Sequence, residues 1–147
     1  MKQTTKNINK TFIISFMFSL LLALIVYILK IKLKLPNIAN STSLLLYLTP
    51  IILFTAIIVP YTLYEKKVIK NITKYKWETF LKLHHKYDTI RIVSLLIAAI
   101  FVNATMLFIY KTEYWYLNGI ILLFFLMYLP NLKALKKKFQ QEQENKK

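Results

Sequence analysis

His84, His85 and Asp88 are the residues whose types and spacing come nearest to chemistry in this chain. Two imidazoles and a carboxylate can hold a metal ion or relay a proton. On a helix His84 and Asp88 share a face at i, i+4. Glu78 stands six or seven residues before the two histidines, and no third ligand is assured by the spacing. Zinc sites usually take three or four protein ligands. The competing reading is a solvated face at a membrane surface, on which Asp88 also pairs with Arg91. No serine lies between residues 65 and 91 to serve as a nucleophile. Lys74 with Glu78, and Glu78 with Lys82, are ordinary stabilising i, i+4 pairs. The expectation is no catalytic residue, no metal, no cofactor, and a protein that is not an enzyme.

Asn103 is the second chemically distinct position, with Thr105 close by. It falls near the middle of an uncharged apolar run, where a side-chain amide wants a partner. Such an amide can line a pore, or it can bond a neighbouring helix as a packing contact. The second is expected here, so Asn103 is the candidate intramembrane polar contact. Ser15, Ser19, Thr49 and Thr55 can bond their own backbone and need no function.

The elements that position these residues follow from composition. Of 147 residues 56% are hydrophobic and one is Gly. A soluble domain of this size has too little interior for that much apolar side chain. Residues 11–29, 35–64, 92–110 and 114–132 are free of charge, and each run has at least 19 residues. A helix that spans the hydrocarbon needs about 20. The reading is an all-α membrane protein, one domain over 1–147. Four transmembrane helices are expected as two hairpins, at about 11–30, 44–64, 90–110 and 115–130, with helical cytoplasmic extensions. Residues 131–147 form a basic tail. Its Leu132, Leu135 and Phe139 recur at helical spacing beside lysines, which reads as an interfacial helix.

The basic residues set the orientation. The N-terminus, residues 65–91 and the tail hold 3, 8 and 6 of them, and the two other connections hold 3 and 1. The positive-inside bias then places both termini and the central stretch in the cytoplasm. Lys30, Lys32 and Lys34 lie on the outer side against that bias. The basic head before residues 11–29 resembles a signal peptide. The core is too long for one, and lysines follow it instead of a cleavage site, so a retained first span is expected. Leu, Ile and Lys alternate over residues 29–35, which fits an extended segment or a helix end with snorkelling lysines. Ser41 and Ser43 are candidate N-caps for the second span.

Residues 65–91 are the hinge of the chain. On a single helical plot Val68, Ile69, Ile72, Tyr75, Phe80, Leu83, Tyr87 and Ile90 share one arc, while Trp77 and Leu81 fall on the charged side. The stretch is either a helix lying in the headgroup plane or the extended ends of the second and third spans, turning at 71–76. The extensions are favoured, because nothing stops a helix at Tyr64 or starts one at Ile92. The third helix would then run from about Trp77 to Tyr110. Pro50 and Pro60 are candidate kinks in the second span, since each removes a backbone donor. Tyr110, Tyr114, Trp115 and Tyr116 suit a headgroup boundary before the fourth span, and Pro130 interrupts the end of that span.

Several functions are excluded or made unattractive. The net charge of +15 comes from 20 Lys and a single Arg placed at the ends of apolar runs, which suits anionic lipid and not nucleic acid. Lys66, Lys67, Lys70, Lys74, Lys136, Lys137 and Lys138 are the candidate anionic-lipid contacts. With no Cys there is no disulfide, thiolate metal site or cysteine catalysis. Proton-coupled transport usually needs an intramembrane carboxylate or His, and the four apolar runs carry none. The Lys-, Ile- and Asn-rich usage suggests an AT-rich bacterial genome.

Leu83-x-x-x-Tyr87-x-x-Ile90-Arg91 leads into the third span, an aromatic turn follows, and the fourth span closes at Pro130 before a basic Leu-spaced end. Over about residues 80–139 this resembles small bacterial four-span integral membrane proteins of unassigned function. This chain differs from them near Lys82, where they carry Glu-Lys, and in having less Arg. The resemblance implies two helical hairpins and supplies no activity. The expected function is that of a small protein of the bacterial cytoplasmic membrane acting through helix and lipid contacts, as an accessory subunit or a homo-oligomer. Its expected partners are anionic headgroups on the cytoplasmic side and a membrane protein or a second copy of itself. A transporter or channel subunit built around Pro50, Pro60 and Asn103 is the alternative. A headgroup-modifying enzyme using Glu78, His84, His85 and Asp88 is the weakest reading.

Overall fold

The computed structural model describes residues 2–34, 36, 44–109, 111–129 and 131–144, and these are helical with no strand among them. Ser41, Ser43, Tyr110 and Pro130, which the sequence singled out, lie outside the described residues.

Helix α1 spans Lys2–Tyr27 and widens into one π-helical turn, Ile28–Lys32. The alternating lysines are therefore a helix end and not an extended segment. Lys34 closes it with φ 50°, the left-handed conformation that commonly stops a helix. Lys30 is buried and donates from Nζ to the Pro36 carbonyl at 2.8 Å.

Helix α2 spans Leu45–Tyr64 and also widens, over Glu65–Ile69. A 3-10 turn, Ile72–Lys74, then leads to α3, Trp77–Phe108. The chain turns here without Gly or Pro because side chains cover the open carbonyls. Asn71 Nδ2 donates to Lys66 O at 3.0 Å, and the Tyr75 hydroxyl donates to Lys67 O at 3.2 Å. Extended backbone at Lys76 starts the next helix. A single helical plot of residues 65–91 nonetheless finds most of the inward face: Val68, Ile69, Ile72, Tyr75, Phe80, Leu83 and Tyr87 all join one core across the turn. Leu81 is buried and Trp77 packs inward, although the plot put both on the charged side, and Ile90 is exposed.

The central helix is α3. It has 32 residues, about 48 Å, and packs against α2, α1 and α4, the last spanning Glu113–Met127. Thr49 at the start of α2 meets Thr105 at the end of α3, whereas Tyr64 at the end of α2 meets His84 near the start of α3. Those two helices are therefore antiparallel. Likewise Phe12 of α1 lies against Phe125 of α4, and Tyr27 against Trp115, so α1 and α4 run oppositely. Leu53, Ile92, Leu95, Val102, Met106 and Phe125 form the dry centre, with Ala98 and Ala99 permitting close approach.

Three helices are long and apolar enough to cross a membrane: Asn9–Lys32, Leu45–Lys74 and Trp77–Phe108. The fourth is shorter, at 15 residues or about 22 Å. Half of the apolar window of α3 is buried, against 22% for α1 and α2. Ile13, Met17, Leu24, Ile51, Phe54 and Ile58 accordingly point outwards.

A second core closes the basic end. Helix α5, Leu132–Glu144, lays Leu135 and Phe139 on Tyr64, Val68, Ile72, Phe80 and Leu81. The Phe139 ring sits 5.2 Å from Trp77 and 5.0 Å from Phe80, and Gln143 donates to the Ile72 carbonyl at 3.3 Å. Leu135 and Phe139, two members of the stripe expected at the membrane interface, are thus covered by the protein's own helices. Edge-to-face and tilted ring pairs of this kind add about 1 kcal/mol beyond the area they bury.

Candidate functional site

The His84, His85 and Asp88 constellation does not assemble as a trio. Asp88 and Arg91 follow His84 on one face of α3, whereas His85 lies one residue round the helix. There the Thr89 hydroxyl is 3.3 Å from its Nδ1. His84 instead forms part of a buried relay. Its Nε2 is 2.8 Å from Asp88 Oδ2 and its Nδ1 is 2.9 Å from the Tyr64 hydroxyl. A neutral imidazole satisfies both contacts: Nε2–H donates to the carboxylate while Nδ1 accepts from the phenol. With both ring nitrogens so engaged, His84 has no lone pair left for a metal. No group of three or more His, Cys, Asp or Glu able to hold an ion occurs among the described residues.

The centre of the site is a residue the sequence treated only as a partner. Arg91 is ion-paired with Asp88, and both are buried, at 8% and 5% exposure. The solvated surface pair expected from i, i+3 spacing is instead enclosed. The guanidinium lies between two phenol rings, 4.0 Å from the centroid of Tyr64 and 4.5 Å from that of Tyr128. Those tyrosines end α2 and follow α4, so Arg91 ties three helices together. Cation–π contact is worth about 2 kcal/mol when desolvated, and it offsets part of the cost of burying the charge. The signal was present in the sequence. The sole Arg stands three residues after an Asp, Tyr64 ends one apolar run and Tyr128 lies four residues before the end of another, but only the fold brings the four together.

Beside this cluster a cleft of about 340 Å³ opens between the ends of α2 and α4 and the start of α5. Tyr61, His84, Arg91, Tyr128 and Lys138 are among its walls. Asn131 caps α5 there, accepting on Oδ1 from the Ala134 N–H at 3.1 Å.

Deeper in the bundle the polar groups pair with one another. Asn103 is 2% exposed and donates from Nδ2 to Ala99 O at 2.8 Å and to Asn118 Oδ1 at 3.0 Å. Asn118 donates back to Asn103 Oδ1 at 3.4 Å and reaches Met106 Sδ at 3.2 Å. Asn118, on α4, is the partner that sequence reasoning missed. The Thr49 hydroxyl serves both Leu45 O at 2.6 Å and Thr105 Oγ1 at 3.1 Å.

Helix α2 runs through both candidate kink positions. Pro60 cannot donate to the Ala56 carbonyl, and Ser94 of α3 does so instead at 3.0 Å. Pro50 lines a second cavity of about 350 Å³ at the opposite end, with Lys111, Glu113 and Tyr114. Lys66, Lys67, Lys70 and Lys74 are exposed around the α2–α3 turn, and Lys136, Lys137 and Lys138 are exposed on α5. Of these, Lys138 alone lines the cleft beside Arg91.

The chain matches no protein-family model, no curated protein and no solved structure at the level that indicates a relationship.

Proposed function

We propose that this chain is a multi-pass protein of the bacterial cytoplasmic membrane, crossing it four times with both termini inside, and that it acts through contacts. It serves as an accessory subunit or as a homo-oligomer, with anionic lipid on its cytoplasmic side. The observation that carries the reading is the division of labour among polar and apolar groups. The polar side chains in mid-bundle pair with each other, as Asn103 does with Asn118, whereas long apolar faces of α1 and α2 point outwards.

Paired amides and hydroxyls hold helices together in hydrocarbon without lining a water path. The outward faces of α1 and α2 suit lipid or another apolar helix. Exposed lysines crowd the end that holds the α2–α3 turn and α5, where about 1 kcal/mol of lipid attraction is expected for each near an anionic surface. The short α4 fits as a crossing if Tyr128 and Leu129 complete its apolar length and the bilayer thins beside it, at a modest cost per ångström.

Cross-linking in native membranes, followed by purification in mild detergent, tests the contact role. A defined partner or a discrete oligomer is expected at stoichiometric yield. A monomer that cross-links to nothing, in membranes where control complexes do cross-link, contradicts it.

A further inference from the structure

The cleft beside Arg91 combines chemistry that the general attraction of surface lysines does not explain. One side is cationic. Arg91 forms a wall, is more than nine-tenths buried, and its Nε has no partner among the described residues. Asp88 also lines this wall, and its carboxylate balances Arg91 and accepts from His84. That leaves Lys138 and the N-terminus of α5 as uncompensated positive charge at the opening. Helix geometry leaves the first N–H groups of that 13-residue helix without an intrahelical acceptor, and Asn131 takes the third through its side chain. The other side is apolar. Tyr61, Met127 and Leu129 line the mouth while 52%, 73% and 56% exposed.

We propose that this cleft seats the phosphate of one anionic membrane lipid. The headgroup sits against Lys138 and the start of α5 with Arg91 behind it, and the acyl chains run down past Met127 and Leu129. A helix N-terminus with an arginine and a lysine is a recurrent anion-binding combination. The apolar mouth is what selects a lipid over a free phosphate, because a small hydrophilic anion gains nothing from it. The proposal rests on the membrane placement above, since the mouth must lie at headgroup depth. It differs from diffuse attraction in stoichiometry: one lipid per chain, held at one place.

The test is lipid retention by the full chain in mild detergent, read by native mass spectrometry. Phosphatidylglycerol, phosphatidylcholine and inorganic phosphate are offered separately. One phosphatidylglycerol per chain is expected to stay bound, phosphatidylcholine to wash off, and millimolar inorganic phosphate to leave the bound lipid in place. Lys138→Gln should weaken retention about fivefold, the effect of one lysine at an anionic surface. Lys136→Gln, on the same helix but outside the cleft, should change it less than twofold. Arg91→Gln should abolish it. Should that variant lose its helical fold, the comparison of Lys138 with Lys136 decides. Equal losses for the two lysines mean diffuse attraction and overturn the site. Displacement by inorganic phosphate overturns the lipid assignment, as does equal retention of phosphatidylcholine. Failure of the membrane placement looks different: the chain would then not enter vesicles of any composition.

Discussion

Replacing Asp88 with Asn exchanges one oxygen for an amide nitrogen and removes the counter-charge that, among the described residues, is paired with Arg91. The isostere still offers His84 an acceptor, so the His84–Tyr64 hydrogen bond has no reason to break. What is lost is charge balance. Removing one partner of a buried ion pair typically costs 3–5 kcal/mol, because the remaining ion stays desolvated and unpaired. Here the two tyrosine rings at 4.0 and 4.5 Å keep part of the guanidinium's electrostatic stabilisation. The expected cost of Asp88→Asn is therefore near the lower end, about 3 kcal/mol. The double variant Asp88→Leu, Arg91→Leu removes both charges and should cost less than either single change to Leu, since no unpaired ion is left. Reversible unfolding in mixed micelles, monitored by helicity, measures all of these. The coupling between positions 88 and 91 should exceed 1.5 kcal/mol in a double-mutant cycle. A cost below 1 kcal/mol for Asp88→Asn, with no coupling, would mean that water reaches the pair. The enclosed site described above would then be wrong.

Other consequences are equally open to measurement. Asn103→Leu leaves the Asn118 amide without its main partner, and about 1–2 kcal/mol should be lost in the same assay. Adding Asn118→Leu should recover part of that loss; a second, additive loss would show that the amides do not act as a pair. Ser94→Ala strips the donor from the Ala56 carbonyl and should cost about 1 kcal/mol. In a Pro60→Ala background, where the helix can supply its own donor, the cost of Ser94→Ala should shrink towards zero. An unchanged cost there means that Ser94 does not compensate for the proline. Phe139→Ala empties the contact with Trp77 and Phe80 and should cost about 3 kcal/mol of docking energy for α5. Trypsin should then cut at Lys136–Lys138 at least tenfold faster, and an unaltered rate would show that α5 is not held by this face.

The helical architecture was legible because its signals are local. Four uncharged runs and flanking lysines call for helices in hydrocarbon, and all-helical structure follows. A turn at residues 71–76 was legible only as part of the favoured of two geometries, with helix on both sides and none of the usual breakers. What stopped the helices there is Asn71 and Tyr75 reaching back to open carbonyls, and such long-reach caps leave little mark in a sequence. The inward face of residues 65–91 was largely legible, and Trp77, Leu81 and Ile90 depart from the plot because it presumes one axis where this stretch has two. The α5 stripe was taken for a lipid-facing one, since Leu135 and Phe139 look the same whether they meet lipid or Phe80. Asn103 stood out because an amide is rare in hydrocarbon; its partner Asn118 sits beside the lone Gly near the start of a run and drew no notice. The Arg91 cluster was least legible. Its members come from positions 64, 84, 88, 91 and 128, and only tertiary packing turns a surface ion pair into an enclosed one.

The chain contains no Cys, so single cysteines report position without background. Leu33→Cys, Lys74→Cys, Thr112→Cys and Gln140→Cys can each be probed with a membrane-impermeant thiol reagent, in right-side-out and in inverted vesicles. Four crossings with both termini inside predict that positions 74 and 140 react only in inverted vesicles, and positions 33 and 112 only in right-side-out ones. If position 112 reacts from the same side as position 74, α3 does not cross. If all four react in both preparations, hydrocarbon is not the solvent of these helices.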